Sequence, residues 1–235
     1  MTQKIIQIPT LNDTPEDFQQ LFEMSNQVNG LFEDVRFDFS NCKFLRSNAV
    51  AFLGGLARLI ESFGGSVIFD WDTLRSNSVR ANLCQNGYSN AFEHSDTEVG
   101  VFTCGQHFRH RNDLILTVVD FGLGIPAKVK AFLSQFVDEA RVSKLSGAEC
   151  MKWAFERGNT TSMGGVARGL GLDLLKEFVR VNQGKLEVYS NDGYAIIDKE
   201  GERFDNSPIS FQGTVVHITL RCDEKLYRFY DEAEE

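Results

Sequence analysis

Three glycine-bearing sequences stand where one element gives way to the next, and they constrain the backbone more than any other feature. Ile115 to Val119 is an apolar β run that ends in Asp120-Phe-Gly122-Leu-Gly124-Ile125-Pro126. Arg168-Gly169-Leu170-Gly171 opens directly into a helical stripe of Leu172, Leu175, Phe178 and Val179. Gly213-Thr214 starts a strand in which Val215, His217 and Thr219 alternate with Val216, Ile218 and Leu220. Glycine lets a backbone approach a flat group without a Cβ in the way. A glycine loop at the head of a helix turns unpaired N–H groups toward an anion, assisted by the helix dipole. A carboxylate at a strand end, such as Asp120, can accept a hydrogen bond from an amino group.

A further motif, Asn90-Ala-Phe-Glu-His94, precedes these in the chain. Its Asn and His are four residues apart and share a face if the segment is helical. The four motifs, in this order, resemble the ATP-binding domain shared by gyrase, chaperone, histidine-kinase and mismatch-repair ATPases, the GHKL or Bergerat fold. The resemblance implies the cofactors ATP and Mg2+. It implies that Asp120, Gly122, Gly124 and Thr214 hold adenine, and that Gly169, Leu170 and Gly171 meet the phosphates. It places Arg168 near the γ-phosphate and Asn90 on magnesium, a hard octahedral cation that keeps most of its waters and accepts a neutral amide oxygen. The Thr160–Gly165 stretch corresponds to the family's lid. His94 and His217 read as structural rather than catalytic residues, so no catalytic residue is assigned.

This sequence departs from the family just before Asn90. The family carries a glutamate general base four residues before the asparagine, and here that position is Asn86. An amide takes no proton, and losing a general base costs about 10² to 10⁴ in rate. Whether the chain is an enzyme is therefore open: an active form would be a GHKL-type ATPase or protein serine kinase. Asn82, Asn86 and Gly87 are also poor helix residues, and the segment before Asn90 reads as shortened.

The first half alternates strand and helix signals. Lys4–Ile8 is a short β run. Thr14 caps a helix with Pro15 at its first position and Phe18, Leu21, Phe22 and Val28 on its apolar side. Val35, Phe37 and Phe39 alternate as a strand, Val50 to Ile60 form a helical stripe closed by Gly64-Gly65, Ser66–Trp71 reads as a strand and Ser76–Cys84 as a helix. The stretch from Asp38 through Phe69 resembles a STAS domain, the fold of anti-sigma-factor antagonists. Where those antagonists place a phosphoacceptor serine, this chain has Asn48, which accepts no phosphoryl group.

The expected fold is therefore α/β: a STAS-like α/β layer over residues 1–88, a shortened GHKL α/β sandwich over 89–222, and an acidic tail over 223–235. Further helices are expected over Ala127–Phe136 and Ser146–Phe155, with a hairpin turning near Asp198–Gly201. Composition narrows the class. A net charge of −9 repels nucleic acid, and the run His107, Arg109, His110, Arg111 reads as a solvated loop. The five cysteines are scattered and fit reduced thiols. Cys104, His107 and His110 have no fourth ligand to complete a zinc site. With no apolar run long enough for a membrane span, and no export signal, the expected compartment is cytoplasmic. The leading function is a magnesium-dependent ATP-binding regulatory protein of the histidine-kinase-like or anti-sigma-factor kinase type, with a protein partner on the STAS-like layer and a homodimer left open. The alternative is a non-catalytic interaction module with weak or no nucleotide binding.

Overall fold

A computed structural model of the chain describes residues 3–28, 34–75, 99–161, 171–223 and 225. The protein is mixed α/β. Its order is β1 (Lys4–Gln7), α1 (Pro15–Val28), β2 (Val35–Asp38), α2 (Ser47–Ser62), β3 (Val67–Asp70), β4 (Val101–Phe108) and β5 (Asp113–Asp120). Then come α3 (Ile125–Leu133), α4 (Glu139–Val142), α5 (Gly147–Phe155), α6 (Gly171–Val181), β6 (Lys185–Asp198) and β7 (Gly201–Arg221). The strands form a three-stranded sheet in the order β1-β2-β3 and a four-stranded sheet in the order β4-β5-β7-β6. By contact density the chain divides into two compact units. One holds residues 1–106 and 116–121, the other 107–115 and 122–235. No helix among the described residues is long and apolar enough to cross a membrane.

In the first unit β1, β2 and β3 pair in parallel, with Ile5, Arg36 and Ile68 in one cross-strand row and Ile6, Phe37 and Phe69 in the next. Two consecutive right-handed crossovers place α1 and α2 on the same face of such a sheet, and the two helices touch each other. Phe37 and Ile6 are buried, whereas Ile5 and Ile68 are exposed. Thr14 caps α1 as expected: its hydroxyl accepts from the Asp17 N–H at 3.4 Å, and the Asp17 carboxylate accepts in return from the Thr14 N–H at 3.2 Å. The strand read over Ser66–Trp71 is shorter than expected, because Trp71 already begins a 3-10 turn, Trp71–Thr73. Trp71 stacks on Phe39 and Phe69 at centroid distances of 5.2 and 5.4 Å. The helix expected over Ser76–Cys84 lies outside the described residues.

Asn48 is fully buried near the start of α2. Its amide nitrogen donates to the Asn12 carbonyl at 2.7 Å, and its oxygen accepts from the Ala49 N–H at 2.7 Å. The same unit seats Gly55 of α2 against the rings of Phe102 and Phe121. A Cβ there would collide with Phe121 and come within 2.7 Å of Phe102.

In the second unit β6 and β7 form a long antiparallel hairpin whose tip pairs Asp198 with Gly201, as the sequence indicates. Its register shifts on either side of Asn191, which sits at φ 49. Helices α3, α5 and α6 lie against β6. Between them they bury Val129, Cys150, Met151, Phe155 and Val179, while the hairpin buries Leu186, Val188, Phe211 and Val215.

Two expectations are corrected. The helix read over Ala127–Phe136 begins earlier, at Ile125, and ends at Leu133, where turn hydrogen bonds take over up to Val137. The solvated loop read over His107–Arg111 is partly strand: β4 runs through His107 to Phe108, and only the residues beyond it turn. Alternate burial of Phe102 and Cys104 drives that strand. Arg111 folds back to pair with Asp113 at 3.4 Å and to cover the Phe108 ring at 4.4 Å.

Candidate functional site

Strand β5 carries Asp120 to its end, half-buried, and the chain then turns through Gly122 and the exposed Leu123 into α3. Gly124, the residue before α3, has φ 85, a conformation that side-chain-bearing residues rarely adopt. It is also crowded. A Cβ on Gly124 would strike the Asn191 side chain, coming within 2.7 Å of its amide carbon. The second glycine of the motif is thus required by both its dihedral and its neighbour.

Two adjacent β6 residues hold this turn in place. The Ser190 hydroxyl is fully buried and accepts from the Ile125 N–H at 2.7 Å. It also lies 2.8 Å from the Gly213 carbonyl, to which it donates, and 3.1 Å from the Thr214 hydroxyl. Asn191 accepts from the Ala127 N–H at 3.2 Å and donates to the Leu123 carbonyl at 3.0 Å. One buried hydroxyl therefore joins the start of α3 to the Gly213-Thr214 strand. Ser190 and Asn191 escaped the sequence reading. The signal for Ser190 is its register opposite Thr214 across the hairpin, which depends on a pairing between distant residues.

Helix α6 begins at Gly171, where an added Cβ would meet nothing within 4 Å. Among the described residues, then, no neighbour crowds this glycine. Gly171 and Leu172 line a cleft of about 280 Å³ with Ile125, Lys128 and Val129 of α3, Trp153 and Ala154 of α5, and Asn159, Thr160 and Thr161. The α5 wall is firmly seated. Ser146 and Glu149 form a capping box on it, the Ala148 N–H bonds to Asn206 at 2.9 Å, and a Cβ on Gly147 would come within 2.5 Å of the Asp192–Gly193 backbone. Beyond the cleft Lys176 links α6 to the end of α5, donating to the Phe155 carbonyl at 3.3 Å and pairing with Asp173 at 3.3 Å.

Of the residues expected at the site, the structure sets Gly124 against Asn191, Thr214 beside Ser190, and Gly171 in the cleft lined also by Ile125, with Gly122 in the turn before Gly124. Asp120 ends the strand leading into the same turn. Asn90, Arg168, Gly169 and Leu170 lie outside the described residues, as do Asn86 and His94. Among the described residues no group of three or more His, Cys, Asp or Glu is placed to hold a metal ion. His217 sits in β7 opposite Glu187, 2 % exposed, and burial together with the Lys185 charge holds its imidazole down at about 4. Glu187 is buried too, bonded by Lys185 at 2.9 Å and Tyr194 at 3.0 Å. This polar group is part of the sheet's interior, as expected for a structural histidine.

The arrangement fits a nucleotide on three counts: a turn with no room for a Cβ, an open glycine heading a helix, and a cleft with apolar walls and hydroxyl donors. No curated protein matches this chain. The sequence profile described as histidine kinase-, DNA gyrase B-, and HSP90-like ATPase matches residues 77–224, more than half of the chain. A match over that share of the chain shows the family: the chain belongs to the histidine kinase-, DNA gyrase B- and HSP90-like ATPases.

Proposed function

We propose that this protein is a magnesium-dependent ATP-binding regulatory protein of the histidine-kinase-like or anti-sigma-factor kinase type. Its nucleotide-binding domain spans residues 89–222, and a STAS-like layer over 1–88 serves a protein partner. The observation that carries the nucleotide reading is the Ser190 hydroxyl, which ties Ile125 to Gly213 and Thr214. That tie gives the separated motifs a common, rigid base. Preorganised polar groups of this kind lose little entropy when a ligand arrives.

On this reading Asp120 accepts a hydrogen bond from the adenine amino group, and Thr214 bonds the base. Gly122 and Gly124 keep the turn free of side chains near it. Gly169 to Gly171 present backbone N–H groups to the phosphates, Arg168 reaches the γ-phosphate, and Asn90 takes magnesium. The metal supplies charge neutralisation along the phosphate chain when bound. With Asn86 where the family keeps its base, the protein holds ATP without rapid turnover.

A second reading, a non-catalytic interaction module, gains support from Asn48. Both ends of its buried amide are committed to backbone partners, so this position serves packing rather than phosphorylation. Calorimetric titration with magnesium-ATP separates the two. Binding that Asp120→Asn abolishes is expected under the leading reading. Absence of binding by the wild-type protein would leave the interaction module in its place.

A further inference from the structure

Among the described residues that line the cleft between α3, α5 and α6, one carries an ionisable side chain, Lys128. The remaining surface is apolar, or neutral and hydrogen-bonding through Thr160 and Thr161. No carboxylate among the described residues lies within ion-pairing distance of Lys128. The cations behind the cleft differ: Arg157 and Lys176 face Asp173 at 3.9 and 3.3 Å, and Arg180 faces Glu177 and Glu202 at 3.3 and 3.4 Å. An unneutralised cation is therefore kept at the cleft of a protein whose net charge is −9.

We infer that Lys128 is a phosphate-binding residue that sets the preference for the number of phosphates on the nucleotide. This rests on the nucleotide reading above and adds to it a residue that the glycine motifs do not include. The argument is electrostatic. A polyanion approaching this protein is repelled by its overall field, and a local positive charge in a concave site offsets that repulsion. Lysine suits the task as a flexible point charge whose ammonium carries three donors. A cleft of about 280 Å³ is too small for a whole nucleotide and suits one end of it. The neighbouring hydroxyls of Thr160 and Thr161 and the open Gly171 backbone are groups that favour the phosphate end. Because the contribution is charge–charge attraction, it grows from adenosine to ADP to ATP.

The test compares wild type, Lys128→Met and Lys128→Arg for binding of adenosine, magnesium-ADP, magnesium-ATP and inorganic tripolyphosphate, with thermal melting as the folding control. Lys128 is exposed, so all three proteins should melt alike. Lys128→Met is expected to weaken ATP about tenfold, to weaken ADP less, to leave adenosine unchanged and to lose tripolyphosphate. Lys128→Arg should keep the wild-type order. ATP affinity unchanged in Lys128→Met, or an equal loss for adenosine, overturns the inference while leaving the ATP reading intact. Tripolyphosphate binding that depends on Lys128, with no binding of any adenine compound, overturns the ATP reading and keeps the anion site. No binding of any of the four ligands by wild type overturns both.

Discussion

Gly124 and Asn191 show how one position is constrained from two directions. The φ of 85 at Gly124 penalises any L side chain, by about 1 kcal/mol or more. The Asn191 amide closes the space that a Cβ would need. Gly124→Ala should therefore lower both stability and ATP affinity. Asn191→Ala alone should also destabilise, since it removes the bonds to Ala127 and Leu123. In the double variant the collision is gone but the dihedral penalty remains. Its destabilisation, read from thermal melts, should be smaller than the sum of the single effects, as for residues in contact. His217 supports a pH prediction of definite sign. The folded chain holds its imidazole down at about 4, against 6.5 for the free group. Between those values the unfolded chain binds the proton and the folded chain does not, so stability rises with pH. The contribution of His217 is thus complete above pH 6.5 and is lost as the pH falls toward 4. Wild type should lose melting temperature across that window, and His217→Gln should lose less.

Helix α2 and the end of β5 belong to the same compact unit, and they meet where Gly55 lies under Phe121. Phe52, one turn before Gly55, packs on the same ring at a centroid distance of 5.4 Å. Phe121 directly follows Asp120, so the packing of α2 fixes the residue beside the proposed adenine carboxylate. Gly55→Val should cost about 2 kcal/mol by overpacking and lower the melting temperature by about 4–8 °C. It should also weaken ATP more than Asn48→Ala does, because Asn48 anchors the other end of the helix to Asn12. Equal effects of the two substitutions on affinity would mean that Phe121 does not carry the coupling. Much of this element level was legible in advance. The Thr14 cap and Pro15 announced α1, the period-two pattern announced β2, and α5 lies within the helix expected over Ser146–Phe155. The missed strand β4 carries Gly105 and ends in a basic run, so its alternation of Phe102 and Cys104 was hidden by residues that usually mark loops.

At the scale of the whole molecule the proposed function makes a prediction about turnover. On that reading Asn86, outside the described residues, stands at the family's general-base position. Asn86→Glu is expected to raise ATP hydrolysis, followed by phosphate release, above the wild-type rate. An unchanged rate with ATP binding intact would trace the lack of turnover to something other than this one side chain. The α/β class, the order of the motifs and the hairpin near Asp198 could be read from the chain alone, because glycine dihedrals, helix caps and burial alternation act over a few neighbouring residues. That Asp120, Gly122, Gly124 and Thr214 serve one ligand is an expectation that rests on the resemblance they carry together. What gathers the turn and the strand at Thr214 is different in kind. Ser190 and Asn191 act across 64 to 68 residues to the α3 turn, and Gly55 meets Phe121 only because a helix and a distant strand end pack together. Such contacts depend on strand register and on which faces are buried together, and these are settled by the free energy of the whole fold rather than by any local stretch of it.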